Sequence, residues 1–222
     1  MNGFRILPVE QRVDPALVRR FAGLPVANVS DVMSRMVAAG PQLRPLHAGG
    51  ILAGPAFTVK SRPGDNLMLH KALDLASPGD VVVVDAGGDL TNAMLGEMML
   101  AHAETRGLAG VVIYGAIRDL ASIRTKTFPV YAAGVTHRGP YKNGPGEINV
   151  PVSLNGMVIM PGDLILGDDD GVVSVPRAEA EAICAEAEQK HAQETAHLQE
   201  ILAGRVDRSW IDRTLGDLGC KL

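Results

Sequence analysis

What most restricts the fold of this chain is a recurring order of signals: a Pro-Gly or Gly-Gly turn, a short run of aliphatic residues, then apolar residues at helical spacing. Pro-Gly-Asp occurs at Pro63, Pro78 and Pro161, and the last two lead straight into the apolar runs Val81 to Val84 and Leu164 to Leu166. Turns feeding buried strands have this form. Strands alternating with helices predict an α/β protein. The irregular spacing of the three turns excludes a repeat of fixed period. A chain of 222 residues is long enough for one sizeable core, while two domains would each be small, so one domain is expected. Near the start, Asp14 before Pro15 reads as an N-cap with Pro at the first helical position, and Ser30 is expected to cap a second short helix from Asp31 to Met36.

Composition enters mainly through what it excludes. The formal charge is −4 with no long basic run, so a phosphate backbone finds no electrostatic footprint and nucleic acid is not an expected partner. No apolar run is long enough to span a bilayer. The segment Met1 to Val13 is interrupted by Arg5, Pro8, Glu10 and Arg12 and lacks the continuous apolar stretch of a signal peptide. Cys184 and Cys220 share no Cys-x-x-Cys spacing, so reduced thiols and a soluble, cytoplasmic protein are the expectation. Aromatic residues are only 4% of the chain, which leaves the core to Val, Ile, Leu, Met and Ala.

The stretch from Ala86 to Arg124 is the most informative. Gly87 and Gly88 follow a strand; Leu95, Met98, Met99 and Ala103 then fall at helical spacing until Gly107 ends the helix. Ala109 to Tyr114 is the next buried strand, and Gly115, Ala116, Ile117, Arg118 and Asp119 carry the chain just past its carboxyl end. Ligands tend to bind at that edge of α/β sheets. Asp119 offers a carboxylate to a hard cation and Arg118 a planar fork to substrate oxygens. A surface ion pair capping a helix from Leu120 to Lys126 accounts for the same two residues equally well, and the residues alone leave both readings open.

Gly96-Glu97-Met98-Met99, Arg106-Gly107, Gly110-Val111-Val112 and Gly115-Ala116-Ile117-Arg118-Asp119 together resemble the RraA-like family. That family holds the class II 4-hydroxy-4-methyl-2-oxoglutarate and 4-carboxy-4-hydroxy-2-oxoadipate aldolases and also a regulator of ribonuclease E. Ser30-Asp31, Gly64-Asp65-Asn66, Arg138-Gly139-Pro140, the run Gly144 to Pro151 and Gly167 to Val172 extend the match over nearly the whole chain. The resemblance implies a swivelling β/β/α domain with its core over about 26–176 and a helical extension over about 177–222. It also implies trimers or hexamers with sites at subunit interfaces, and a divalent cation, Mg2+ or Mn2+. By the same resemblance Asp119 would be the metal ligand and Arg118 the contact to the oxo and carboxylate oxygens of a small 2-oxo acid. Glu97, where relatives can have Asp, would hold water. Met98 and Met99 would offer backbone N–H groups to the pyruvyl carboxylate, with Gly96 allowing close approach. The expected reactions are retro-aldol cleavage releasing pyruvate and decarboxylation of oxaloacetate; a protein-binding regulator of the ribonuclease E type is the alternative.

If Gly96 to Met99 forms a first helical turn, its N–H groups lack intrahelical partners and suit a carboxylate; a helix starting near Thr91 would instead leave both methionines as core residues. The run Asp168 to Asp170 lacks the alternating spacing of a calcium loop and reads as a hairpin turn. His191 and His197 lie six apart, too far in phase to share a metal on one helix face. Lys60 and Lys71 read as snorkelling side chains, not Schiff-base lysines. Gly139 to Gly146 is expected to be an ordered loop near the site. The helix from about Arg177 to Ala203 is polar apart from alanines, so it should bury little on its own domain and project or lie on a partner. The resembling aldolases place a glutamate from a neighbouring chain near the metal; Glu188 and Glu194 are the candidates, with Glu186 behind them. A short closing helix is expected from Ser209 to Leu218.

Overall fold

The computed structural model describes residues 3–221. In chain order the elements are α1 (Pro15–Phe21), α2 (Val26–Val32), β1 (Arg44–Pro45), β2 (Leu52–Ser61), α3 (Leu67–Leu75), β3 (Val81–Asp85), β4 (Ala93–Leu95), α4 (Glu97–Thr105), β5 (Gly110–Ile117), α5 (Leu120–Ile123) and β6 (Val130–Val135). There follow β7 (Gly146–Ile148), β8 (Val152–Leu154), β9 (Met157–Ile159), β10 (Leu164–Asp168), β11 (Gly171–Val175), a 3-10 turn over Arg177–Glu179, α6 (Ala180–Leu202) and α7 (Ser209–Asp217).

Among the described residues the main sheet has nine strands, along the path β1-β6-β5-β3-β2-β10-β11 with β4 added to β5 and β7 to β2. β2, β3, β5 and β6 run parallel; β10 joins β2, and β11 joins β10, antiparallel. The two ends of the path approach each other, and the Arg44 guanidinium on β1 donates to the Asp169 and Asp170 carbonyls in the β10–β11 turn. The sheet is thereby nearly closed.

Period-two alternation sorts the strand residues between two cores. Val82, Val84, Val111 and Ile113 pack with Leu69 and Leu73 of α3 and Leu100 and Ala103 of α4. Val81, Val83, Val112 and Tyr131 face the other way, against Ile165 and the β8–β9 hairpin residues Leu154 and Ile159. Every residue of β5 except Tyr114 is buried, which makes it a rigid rail for whatever follows Ile117.

Local signals are met at several points. The Asp14 Oδ1 accepts from Ala16 N at 2.6 Å with Pro15 opening α1, and Asp168 to Gly171 closes the β10–β11 hairpin as expected of the acidic run. The second helix departs from expectation. It spans Val26–Val32 behind Pro25, with Ser30 inside it, and positive φ at Ser34 and Arg35 prevents its extension to Met36. Its amino end is capped from far away: Asp168 Oδ2 accepts from Val26 N at 2.9 Å. A tertiary cap leaves no nearby sequence signature.

The C-terminal helix also corrects an expectation. Ala180, Ile183, Cys184 and Ala187 follow one stripe and are buried with Phe21, Val29 and Val173. Small residues let helices approach closely, so a narrow seam suffices. Polar ties continue the attachment: Arg20 with Glu181 and Glu188, Lys190 with Asp31, and Asn28 with Glu194. Farther out the helix projects, with Leu198, Ile201 and Leu202 exposed, and α7 buries no residue. No helix among the described residues is long and apolar enough to cross a membrane.

Candidate active site

β5 and β4 converge on one point. Leu95 pairs with Ile117 after a register shift, and Arg118 N donates to Leu95 O at 2.9 Å. Arg118 and Asp119 therefore leave the sheet beside the chain that turns through Gly96 into α4. Asp119 is in the left-handed region, with φ 58° and ψ 35°, a conformation that Asp tolerates better than most residues. That turn sends its carboxylate back toward α4, where Oδ2 accepts from Glu97 N at 2.9 Å and lies 3.8 Å from Arg118 Nε. Of the two readings left open by sequence, capping of the following helix is weakened: Asp119 stands at the N-cap of α5 without a side-chain cap bond, and α5 ends at Ile123, short of Lys126.

Gly96 is the keystone of this packing. A Cβ there would lie 2.5 Å from Asp119 Oδ2 and 3.0 Å from Arg118 Nε, although its φ of −142° is open to any residue. α4 begins at Glu97 and not near Thr91. Glu97 N is occupied by Asp119, while Met98 N and Met99 N, next in the first turn, have no acceptor among the described residues. Such donors at a helix start favour an anion. The Met98 side chain is 84% exposed and Met99 half-buried, so neither fills the core fully.

These groups line one cavity of about 250 Å³ that includes Gly96, Met98, Met99, Arg118 and Asp119. It is also lined by Asn66 and His70 on the α3 side and by Pro140 and Lys142 in the expected ordered loop. The sequence places this loop near the site but gives Asn66, His70 and Lys142 no role in it. The available signal was Gly64-Asp65-Asn66. Asp65 is fully buried and its carboxylate accepts from Leu67 N at 3.0 Å, Asn143 N at 2.7 Å and Gly144 N at 2.8 Å, clamping the loop to the start of α3. Asn66 Nδ2 donates to Met94 O at 2.9 Å, tying the same corner to β4. Burial, and then the nearby Lys142 charge, lower the His70 pKa from its ordinary value.

Neither Glu188 nor Glu194 lines this cavity; in this chain both are engaged by α1, α2 and Lys190. Glu186 is exposed and makes no ion pair among the described residues. Lys60 and Lys71 are exposed and lie outside the cavity.

The donor set bears on which cation would fit. Among the described residues no three His, Cys, Asp or Glu side chains gather into a cage. The Asp119 side chain is 41% exposed, and its Oδ1 accepts no hydrogen bond among the described residues. One accessible carboxylate suits a hard cation that retains most of its water and takes further oxygens from a ligand; it does not suit a tetrahedral nitrogen and sulfur site. Magnesium or manganese fits this chemistry.

A nearly closed mixed sheet, with a pocket at the carboxyl end of its parallel strands, defines a single-domain α/β protein. Within this class the chain belongs to the RraA-like family, whose model, described as Aldolase/RraA, matches residues 26–174. A relative from Halalkalibacterium halodurans, provisionally named 4-hydroxy-4-methyl-2-oxoglutarate aldolase, is 40% identical over 83% of this chain and 88% of its own length. The solved structure of Streptomyces coelicolor RraAS2, described as an unusual member of the RNase ES inhibitor RraA family, is 30% identical with a TM-score of 0.75, covering 84% of this chain and 98% of that one. The RNA-processing inhibitor RraA from Thermus is 31% identical with a TM-score of 0.62, over 68% and 92% of the respective chains.

Proposed function

We propose that this chain is a divalent-metal-dependent lyase. It cleaves 4-hydroxy-2-oxo di- and tricarboxylic acids, such as 4-hydroxy-4-methyl-2-oxoglutarate and 4-carboxy-4-hydroxy-2-oxoadipate, to pyruvate and a second oxo acid, and it decarboxylates oxaloacetate. The supporting observation is the convergence of Arg118, the strained Asp119 and the open N–H groups of Met98 and Met99 on one small cavity. The provisional aldolase name of the 40% identical relative points the same way.

In this reading the Met98 and Met99 N–H groups hold the pyruvyl carboxylate. The Arg118 fork faces the 2-oxo and carboxylate oxygens, where its fixed charge stabilises the negative charge that develops on the 2-oxo oxygen. Magnesium or manganese held at Asp119 supplies Lewis-acid polarisation of that group. In aldol cleavage the C4 hydroxyl gives up its proton, the C3–C4 bond breaks, and its electrons pass into the 2-oxo group to give the pyruvate enolate. Water positioned by the exposed Glu97 carboxylate accepts the first proton, and a proton returned to C3 completes pyruvate. In oxaloacetate the bond to the departing carboxylate breaks in the same electronic sense. The working form in this reading is a trimer or hexamer, with a glutamate of a neighbour's α6 completing each site. Glu186 is the α6 candidate that makes no ion pair among the described residues.

The resemblance to the two RraA structures favours one other reading, a protein-binding regulator of ribonuclease. Pyruvate release from each candidate acid, measured with magnesium and with chelator, separates them. The lyase reading expects release that chelator abolishes and magnesium or manganese restores. Full turnover without metal would remove the metal role, and no release from any of the acids would favour the regulator.

A further inference from the structure

We propose that the segment from Gly3 to Leu7 is a strap that orders the loop lining the candidate site, with Phe4 and Arg5 as positioning residues. The segment lies outside residues 26–174, which the family model matches, so the shared core does not supply it. It is built as an extra strand. β7 pairs with β2 along one edge, and Gly3 to Leu7 takes the other, running parallel with Ile6 opposite Ile148. Gly146 N donates to Gly3 O at 2.7 Å, Ile148 N to Arg5 O at 2.8 Å and Leu7 N to Ile148 O at 3.1 Å. The strap thus satisfies backbone groups that an edge strand would otherwise leave open.

β7 also continues directly from the loop whose Pro140 and Lys142 line the cavity. Asp65 grips that loop by accepting from Asn143 N at 2.7 Å and Gly144 N at 2.8 Å. The strap grips the same stretch with its own residues. A Cβ on Gly144 would lie 2.5 Å from Phe4 Cε1, so the ring rests where a side chain would otherwise stand, and a Cβ on Gly3 would lie 3.2 Å from Pro145 Cβ. Arg5 locks the next residue: its Nε and Nη2 donate to the two Glu147 carboxylate oxygens at 2.6 Å and 3.0 Å, and Gly3 N donates to Oε1 at 3.0 Å. The Glu147 side chain is only 12% exposed, so removing Arg5 leaves a poorly hydrated carboxylate short of donors. The two grips share Gly144. Loosening the strap therefore loosens what Asp65 holds, and with it the placement of Lys142 at the cavity, on which turnover depends.

The effect on turnover rests on the lyase reading above, whereas the effect on the loop does not, and the test reads both on the full chain. Amide hydrogen exchange is followed at Asn143 and Gly144, which bond to Asp65 and not to the strap, and at the central strands β3 and β5 as a control. In Arg5→Gln and in Phe4→Ala the two loop amides should exchange about three- to tenfold faster, as the loss of one such contact implies, while β3 and β5 stay unchanged. Arg5→Lys, which keeps a charged donor, should recover most of the protection. Pyruvate release in the first two variants should show kcat/KM about threefold or more below wild type, with KM changed more than kcat. No acceleration at the loop, or equal acceleration in β3 and β5, overturns the strap. Faster loop exchange with unchanged kcat/KM overturns its part in positioning the site. If wild type releases pyruvate from none of the acids, the lyase reading falls and the loop amides still decide the strap.

Discussion

Replacing Gly96 by Ala separates the position of the proposed catalytic pair, Arg118 and Asp119, from the stability of the fold. The backbone itself accepts alanine, since φ −142° and ψ −176° are ordinary extended values. The added methyl, however, would sit 2.5 Å from Asp119 Oδ2, about 1 Å inside a comfortable contact. β5 is buried and hydrogen-bonded on both sides, so its backbone does not yield. The side chains of Arg118 and Asp119, 46% and 41% exposed, swing outward instead. The fold then loses the Asp119 to Glu97 N bond, worth about 1 kcal/mol at such exposure. It regains about 0.4–1 kcal/mol because alanine restricts the unfolded chain more than glycine does. The two nearly cancel, and the melting temperature should move by less than about 4 °C. Activity should suffer far more, because displacing a catalytic group by about 1 Å costs on the order of 100-fold. Pyruvate release beside a thermal melt measures both. Unchanged kcat/KM would refute the placement of the pair, and a large loss of melting temperature would make Gly96 a structural glycine only.

Three other outcomes are expected. Arg118→Lys should keep the melting temperature and lose about 10- to 100-fold in kcat/KM, because a point charge cannot replace a planar fork; near wild-type turnover would return Arg118 to a surface ion pair. Inactive Asp119→Ala subunits mixed with inactive Glu186→Gln subunits should regain part of the activity when they exchange, and a mixture that stays inactive despite proven exchange would exclude a shared site built on that residue. Glu147, bonded to Arg5 and to Gly3 N, has its pKa lowered from 4.5 to about 2. Its contribution is therefore complete above pH 4.5 and fades as pH falls toward 2, so the N-terminal segment should resist pepsin at pH 4 and release near pH 2. Release already complete at pH 4 would contradict this.

The sequence disclosed most where the cause was local. Val81 to Val84 and Leu164 to Leu166 had to be buried strands because nothing polar interrupts them, and Asp14-Pro15 capped its helix with its own atoms. It disclosed least where the cause was distant. The start of α2 is set by Asp168 from the far end of the chain, and the clamp at Asp65 acts on a loop some eighty residues away, at |i−j| of 78 and 79. The alanine seam of α6 looked too thin because sequence shows apolar character but not how near a neighbour can come. At the site, the order Gly-Ala-Ile-Arg-Asp placed Arg118 and Asp119 past a strand end. The left-handed turn that folds Asp119 back onto Glu97 N had no local signature, since most residues beyond a strand remain extended or helical.

The near-closure of the sheet limits how copies of this chain can meet. A bare strand edge invites another chain to continue the hydrogen-bonded ladder, and many proteins associate or aggregate in that way. Here the path ends in β1, only two residues long, and in β11, against which α2 and α6 lie. Arg44 spans the remaining gap. The two ends of the main path therefore offer little ladder to extend, which favours assembly through side chains, whose specificity can change by surface substitution without disturbing the backbone hydrogen bonds that hold the pocket.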